Sequence, residues 1–270
     1  MNNKTLYVSD LDGTLLRSDQ TLSDYTAKTI NSLVQKGIIF SYATARSFVT
    51  SKVLAKNITT NIPVIVHNGT FIIENVTGKI LYGNYFSLDE TKYIYALLSQ
   101  NGIYPMTHSY MDGIEKLSFC PELITDEVRE FLSTRSGDER LRPVEASRLC
   151  DGDMFHFSCI GEGKKLKKMY DVLKDSFHCV YYLDIYSGDP WLEIYSKSSG
   201  KGNAILELKK ILGCDRVVCF GDAVNDIPMF KICDEAYAVE NADYELKKIA
   251  TGVIDGNNCD GVAKWLTKNV

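Results

Sequence analysis

Leu6-Tyr7-Val8-Ser9-Asp10-Leu11-Asp12-Gly13-Thr14 is the stretch that decides how this chain is read. A short apolar run stops abruptly at two carboxylates, a glycine and a hydroxyl. The run predicts a buried strand, and the polar residues predict a loop at its carboxyl end. Downstream, Ser23 is a helix N-cap candidate, and Ala27, Ile30, Leu33 and Val34 follow at helical spacing until Gly37. Ile38–Tyr42 reads as a second strand and Val64–Val66 as a third. Phe71–Ile73 and Ile80–Tyr82 read as a hairpin with Thr77-Gly78 in its turn.

The alternation returns near the C-terminus. A helix is predicted over 201–212, a strand over 217–220, a helix over 227–232, a strand over 236–239 and a helix over 244–249. A short strand at 253–254 and a last helix carrying Val262, Trp265 and Leu266 close the chain. Strands alternating with helices imply a parallel sheet covered on both faces. The middle differs. Helical patterns near 88–101, 121–133 and 163–175 mix with strand-like runs at 154–160, 178–185 and 191–195. The expected fold is therefore α/β, a Rossmann-like parallel-sheet core with an inserted α+β cap domain. The core is placed at 1–83 and 195–270, and the cap at 84–194.

Ligands of open α/β sheets collect at the carboxyl ends of the strands. In this sequence those ends carry Asp10 to Thr14, then Thr44-Ala45-Arg46, then His67-Asn68-Gly69-Thr70, and later Gly221 to Asp226. Lys201-Gly202 opens the helix before the last of these strands. Hydrolysis of a phosphate ester needs an in-line nucleophile and neutralisation of charge around phosphorus. Asp10 suits the nucleophile, because a carboxylate can form an aspartyl phosphate and split the reaction into two steps. Asp12 suits the acid/base that protonates the leaving alcohol and later activates water. Crowded carboxylates would repel the substrate, so a hard cation is implied, and oxygen ligands select Mg2+. Asp10 and Asp222 are the best side-chain ligands, with Asp226 in support. Lys201 supplies a point charge and Thr44 a hydroxyl to the phosphoryl oxygens.

These motifs, in this order and spacing, resemble the haloacid dehalogenase-like (HAD) superfamily. Asp10-Leu11-Asp12-Gly13-Thr14 is similar to its D-x-D-G-T motif, Thr44 to its second, Lys201 to its third, and Gly221 to Asp226 to its fourth. The large insert, the Lys201-Gly202 pair and the closing Asp260-Gly261-Val262-Ala263 resemble the Cof-type subfamily with a type IIB cap. The chain departs from the family's T-G-R at Ala45 and from its N-G-A at Thr70. The resemblance implies that the metal is held by the Asp10 side chain, the Asp12 backbone carbonyl and Asp222. It implies phosphate binding by Thr44, Lys201 and Asn225, with Asp226 orienting Lys201 or a metal-bound water. Arg46, Asn68 and Glu193 match positions near substrate. The implied activity is a magnesium-dependent phosphatase acting on a small phosphorylated metabolite, a sugar or cofactor phosphate. The cap would close over that metabolite and choose the leaving group. A phosphosugar mutase and a non-catalytic phosphometabolite sensor are the rival readings.

The rest of the composition excludes more than it selects. Of 270 residues, 45% are hydrophobic and 24% charged, with a net charge of -5. A mildly acidic chain is a poor general binder of nucleic acid or anionic membrane. No apolar run approaches a membrane span or a signal peptide, which points to the cytoplasm. The eight cysteines contain no C-x-x-C pair and read as reduced thiols. His156 and His178 read as core or cap-surface residues. Trp191 and Tyr186 are weaker candidates for the substrate entrance. The oligomeric state is not written in the sequence.

Overall fold

The computed structural model describes residues 4–59, 62–184 and 187–270. Tyr186 lies outside the described residues. The chain first runs through β1 (Thr5–Ser9), α1 (Asp24–Gln35), β2 (Ile39–Tyr42), α2 (Phe48–Leu54), β3 (Val64–Val66), β4 (Phe71–Ile73) and β5 (Ile80–Gly83). Next come α3 (Leu88–Gln100), β6 (Met106–Met111), β7 (Ile114–Phe119), α4 (Asp126–Ser133), β8 (Leu141–Pro143), β9 (Asp153–Ile160), α5 (Gly163–Leu173), β10 (His178–Leu183) and β11 (Pro190–Tyr195). The last stretch is α6 (Lys201–Leu212), β12 (Arg216–Gly221), α7 (Ile227–Phe230), β13 (Glu235–Val239), α8 (Tyr244–Ile249), β14 (Gly252–Ile254) and α9 (Gly261–Asn269). The chain divides into two compact units, one from residues 1–83 and 199–270, the other from Asn84–Ser198.

The first unit is built on a five-stranded sheet in the order β14-β13-β12-β1-β2. Every pairing in it is parallel. The sheet is legible as a run of apolar strands because both faces are covered: Leu6, Val8, Val217, Cys219 and Phe220 are all buried. Strand order reverses at β1, which lies between β12 and β2, so Asp10 and Asp222 follow neighbouring strands at the switch point. Ser23 caps α1 by accepting a hydrogen bond from the Thr26 N–H at 3.0 Å, and Gly37 follows the helix at φ 93°.

The third strand behaves differently from the expectation of one continuous parallel sheet. β3 pairs antiparallel with β4, and β4 with β5, in a separate three-stranded sheet. A parallel bridge, Ala43 to Ile65, ties it to the end of β2, and the Ser41 hydroxyl of β2 donates to the Pro63 carbonyl at 2.8 Å. The reason is local. Three consecutive residues after β3, His67, Asn68 and Gly69, take positive φ values of 49°, 53° and 87°. That left-handed turn reverses the chain at once.

The second unit has a six-stranded sheet in the order β10-β11-β9-β6-β7-β8. On one face Phe157, Cys159, Leu192 and Ile194 pack with Ile94 and Leu98 of α3 and Leu166, Met169 and Leu173 of α5. On the other face Met106, Ile160 and Trp191 pack with Val128 and Leu132 of α4. Beside that second cluster, the His156 ring stacks between His108 at 4.4 Å and Tyr195 at 4.2 Å. The hairpin β6–β7 is absent from the sequence reading. Its strands mix polar and apolar residues without clean alternation, but Asp112-Gly113 between them is a two-residue turn signal. Both residues have positive φ, 50° and 78°.

Candidate active site

Asp10 sits one residue past β1, and its N–H donates to the Phe220 carbonyl of β12 at 2.9 Å. The nucleophile candidate is thus locked between two central strands. Its carboxylate is buried and accepts from Lys201 Nζ at 2.5 Å. The same ammonium donates to Asp226 Oδ1 at 2.6 Å. Lys201 is the first residue of α6, and its side chain has no exposed surface. The other oxygen of Asp226 accepts from the N–H groups of Asp222 and Ala223, at 2.9 and 3.1 Å. Asp226 therefore holds the Gly221–Asp226 loop closed while it orients the lysine.

Asp222 completes the group. Ligand oxygens of Asp10, Asp222 and Asp226 all lie within 4.8 Å of one another. Thr14, which the sequence reading did not single out, donates to Asp222 Oδ1 at 2.9 Å. Gly13 explains why the motif needs glycine. Its φ is 75°, and a Cβ there would lie 2.3 Å from Asp222 Oδ2. The carbonyl of Gly13 accepts from Asn241 Nδ2 at 2.8 Å. Neither Thr14 nor Asn241 is recognisable in isolation, because hydroxyls and amides on loops are common.

Charge decides what this cluster can do. Burial, reinforced by the charges of Asp226 and Asp222, holds the Asp10 carboxyl well above the usual range despite Lys201. Burial and the Asp226 charge push Asp222 up to about 6. Burial works against the Lys201 ammonium, but Asp10 and Asp226 outweigh it and raise the lysine, so it stays protonated. One buried cation faces three carboxylates. The ligand atoms that Asp10, Asp222 and Asp226 bring together are all carboxylate oxygens, and the negative charge is in excess. The set fits a hard cation.

Asp12 pairs with a second cation, Arg46. Its carboxylate is gripped by Arg46, with Nε to Oδ2 at 2.7 Å and Nη2 to Oδ1 at 2.6 Å. Arg46 Nη2 also donates to Gln20 Oε1 at 3.0 Å. Thr44 lies just beyond β2, fully buried, and its Oγ1 accepts from the Arg46 N–H at 3.2 Å. Asn68 is buried in the left-handed turn, and its N–H donates to the Thr44 carbonyl at 2.9 Å. In that turn Gly69 packs so tightly on the start of α6 that a Cβ would lie 2.2 Å from the Gly200 carbonyl carbon. Asn225 is half-buried in the tight turn Val224–Asp226. Glu193 belongs to the second unit, on β11, where it accepts from Tyr195 at 3.1 Å and Tyr182 at 3.5 Å. Asp260 carries a structural pairing, accepting from Arg17 at 3.1 Å and Thr26 at 3.3 Å. All eight cysteines are free thiols. No helix of the described residues is long and apolar enough to cross a membrane.

Comparison with known proteins agrees with this geometry. A family model described as haloacid dehalogenase-like hydrolase matches residues 7–266. A 5-amino-6-(5-phospho-D-ribitylamino)uracil phosphatase of Bacillus subtilis is 31% identical, over 95% of this chain and 95% of its own. A second B. subtilis phosphatase of the same description is 25% identical, over 96% and 93%. A haloacid dehalogenase-like hydrolase from Bacteroides thetaiotaomicron superposes with a TM-score of 0.79 at 23% identity, covering 98% of this chain and 99% of that one. A subclass IIB sugar phosphatase of the HAD superfamily superposes with a TM-score of 0.76 at 18% identity, covering 98% of each. With strands, motifs and carboxylates arranged in this way, the chain belongs to the haloacid dehalogenase-like hydrolases, as an enzyme of their Cof-type phosphatase branch.

Proposed function

We propose that this protein is a magnesium-dependent phosphatase that hydrolyses a small phosphorylated metabolite through a phosphoryl group carried on Asp10. The observation that carries this reading is the buried Asp10–Lys201–Asp226 chain with Asp222 alongside. In the first half-reaction an Asp10 oxygen attacks phosphorus while the bond to the leaving oxygen breaks. Asp12 gives its proton to that oxygen, so an alcohol departs. In the second half-reaction Asp12 takes a proton from water as the water oxygen attacks phosphorus. The Asp10–phosphorus linkage breaks and inorganic phosphate leaves.

Lys201 and Thr44 would bind the phosphoryl oxygens, with Asn225 in support. The Asp10 and Asp222 side chains and the Asp12 carbonyl would hold the cation, and Asp226 would support it. Bound Mg2+ would neutralise the carboxylates and the incoming phosphate dianion. In this reading residues 1–83 and 195–270 form the catalytic core, and 84–194 form a cap that selects the substrate, with Arg46, Asn68 and Glu193 near it.

The names of two relatives sharpen the substrate class. Both are described as acting on a phosphorylated ribitylamino-uracil, a primary phosphate ester on a polyhydroxylated chain. That supports a sugar- or polyol-phosphate substrate here. The test is a screen of phosphorylated metabolites with Mg2+, ranked by kcat/KM, alongside Asp10→Asn. Release of inorganic phosphate from phosphorylated polyols by the wild type, and loss of that release in Asp10→Asn, is expected. Substantial Mg2+-dependent hydrolysis by Asp10→Asn would contradict the mechanism.

A further inference from the structure

We propose that Arg46 is the positioning residue of the acid/base, holding the Asp12 carboxylate in its working orientation, with Gln20 bracing the guanidinium. The inference rests on the phosphatase reading above and goes further, because it gives Arg46 a role in proton transfer in place of substrate binding.

Geometry carries it. Arg46 meets Asp12 with two short, parallel hydrogen bonds, the bidentate form that fixes the carboxylate plane as well as its place. Such a pair uses two of about four lone-pair positions on the carboxylate and leaves the others for a proton. Asp12 cannot orient itself. It lies in a stretch with non-helical backbone next to Gly13, and its side chain is 43% exposed. At that exposure an ion pair contributes little to stability, so stability does not account for so ordered a contact.

Everything behind the guanidinium is anchored. The Arg46 N–H donates to Thr44 Oγ1 at 3.2 Å, and the Arg46 carbonyl accepts from the His67 N–H at 2.9 Å. Gln20, whose amide oxygen accepts from Arg46, stands at φ 63° on a turn closed by two backbone bonds, Gln20 N–H to the Arg17 carbonyl and Arg17 N–H to the Thr21 carbonyl. That turn is tied to the chain's end, because Arg17 bonds Asp260 and the Ser18 N–H donates to Asn258 at 3.0 Å. A left-handed, doubly closed turn is a costly way to present a glutamine unless its place matters.

The experiment compares two esters of different leaving group with Mg2+ present. One is the best alkyl phosphate from the metabolite screen, whose alkoxide needs a proton. The other is p-nitrophenyl phosphate, whose phenolate leaves without one. In single-turnover runs that follow leaving-group release, and so read the first half-reaction alone, Arg46→Ala is expected to slow release from the alkyl ester ~10²-fold with the half-saturating substrate concentration little changed, and from the aryl ester by at most about threefold. Gln20→Gly keeps the left-handed backbone, removes the brace, and should give a smaller loss with the same leaving-group dependence. The double variant Asp12→Ala/Arg46→Ala should be no slower than Asp12→Ala alone, because the two act as a unit.

Equal losses in the rate of leaving-group release from both esters, a rise in the half-saturating concentration with that rate unchanged, or additive losses in the double variant would each overturn the assignment. A thermal melt of Arg46→Ala that matches the wild type separates these outcomes from misfolding. If Arg46→Ala melts early, the Gln20→Gly comparison decides. Absence of hydrolysis of either ester by the wild type would strike the phosphatase reading itself, and this inference with it.

Discussion

The Lys201 ammonium lies 2.5 Å from Asp10 Oδ1 with no side-chain surface exposed. A buried ion pair of this kind is weak evidence for stability but strong evidence for a tuned site. Removing one partner is far more damaging than removing the pair. Lys201→Met would leave Asp10 and Asp226 buried without their cation, and is expected to cost about 3–5 kcal/mol of folding stability. Asp10→Asn removes a charge from a site with too many, so in chelator it is expected to melt no earlier than the wild type. Thermal unfolding of both variants in excess EDTA reads this. A Lys201→Met protein as stable as the wild type would show that the three carboxylates do not need the lysine.

The excess of carboxylate charge predicts how stability follows pH without metal. Burial and Asp226 raise Asp222 from the ordinary carboxylate range to about 6 in the folded protein. A group with a raised folded-state value favours folding most below its unfolded value, and that contribution is lost as pH rises through the folded one. The metal-free protein should therefore become less stable between pH 5 and pH 7, and Asp10, also raised, adds in the same direction. Added Mg2+ should raise the melting temperature more at pH 7 than at pH 5, because below about pH 6 protons compete for the same oxygens. Melting curves at both pH values, with EDTA and with Mg2+, check the sign. Equal shifts at both would remove Asp222 from the metal set.

Two glycines with positive φ separate strain from space. At Gly213, which ends α6 at φ 61°, no atom stands within 4 Å of a new Cβ. Gly213→Ala is therefore expected to cost about 1 kcal/mol, from backbone strain alone. At Gly69, φ 87°, the new Cβ would meet the backbone of Gly200 at 2.2 Å. Gly69→Ala adds a clash to the strain and should cost at least about 3 kcal/mol, with activity falling because α6 carries Lys201. Denaturant unfolding of both variants tests the contrast. Similar costs would mean that the His67–Gly69 turn does not press on α6.

What the sequence made legible follows from how each feature is encoded. The core sheet could be read because its strands are buried on both faces and become apolar runs such as Val217 to Phe220. The buried acids and lysine could be read because no fold tolerates them inside without a reason, and the spacing of Asp10, Lys201 and Asp222 around those strands was informative. The insert was harder to read. β6 and β7 carry Thr107, His108, Ser109 and Lys116 among their apolar residues, so neither periodicity stood out, and the Asp112-Gly113 turn was the remaining signal. The grip of Arg46 on Asp12 was not encoded locally at all. Their 34 residues of separation are closed only by the β1–β2 pairing, and Gln20 adds a contact that depends on a left-handed turn.

The central claim is that Asp10 carries the phosphoryl group, and a single-turnover quench tests it most directly. The wild type is mixed with a phosphate ester labelled at phosphorus, with Mg2+ present, stopped in acid within the first turnover, and mapped by peptide. The account predicts label on the peptide containing Asp10, appearing and decaying at rates consistent with turnover. Full release of labelled phosphate with no label ever found on that peptide would contradict it.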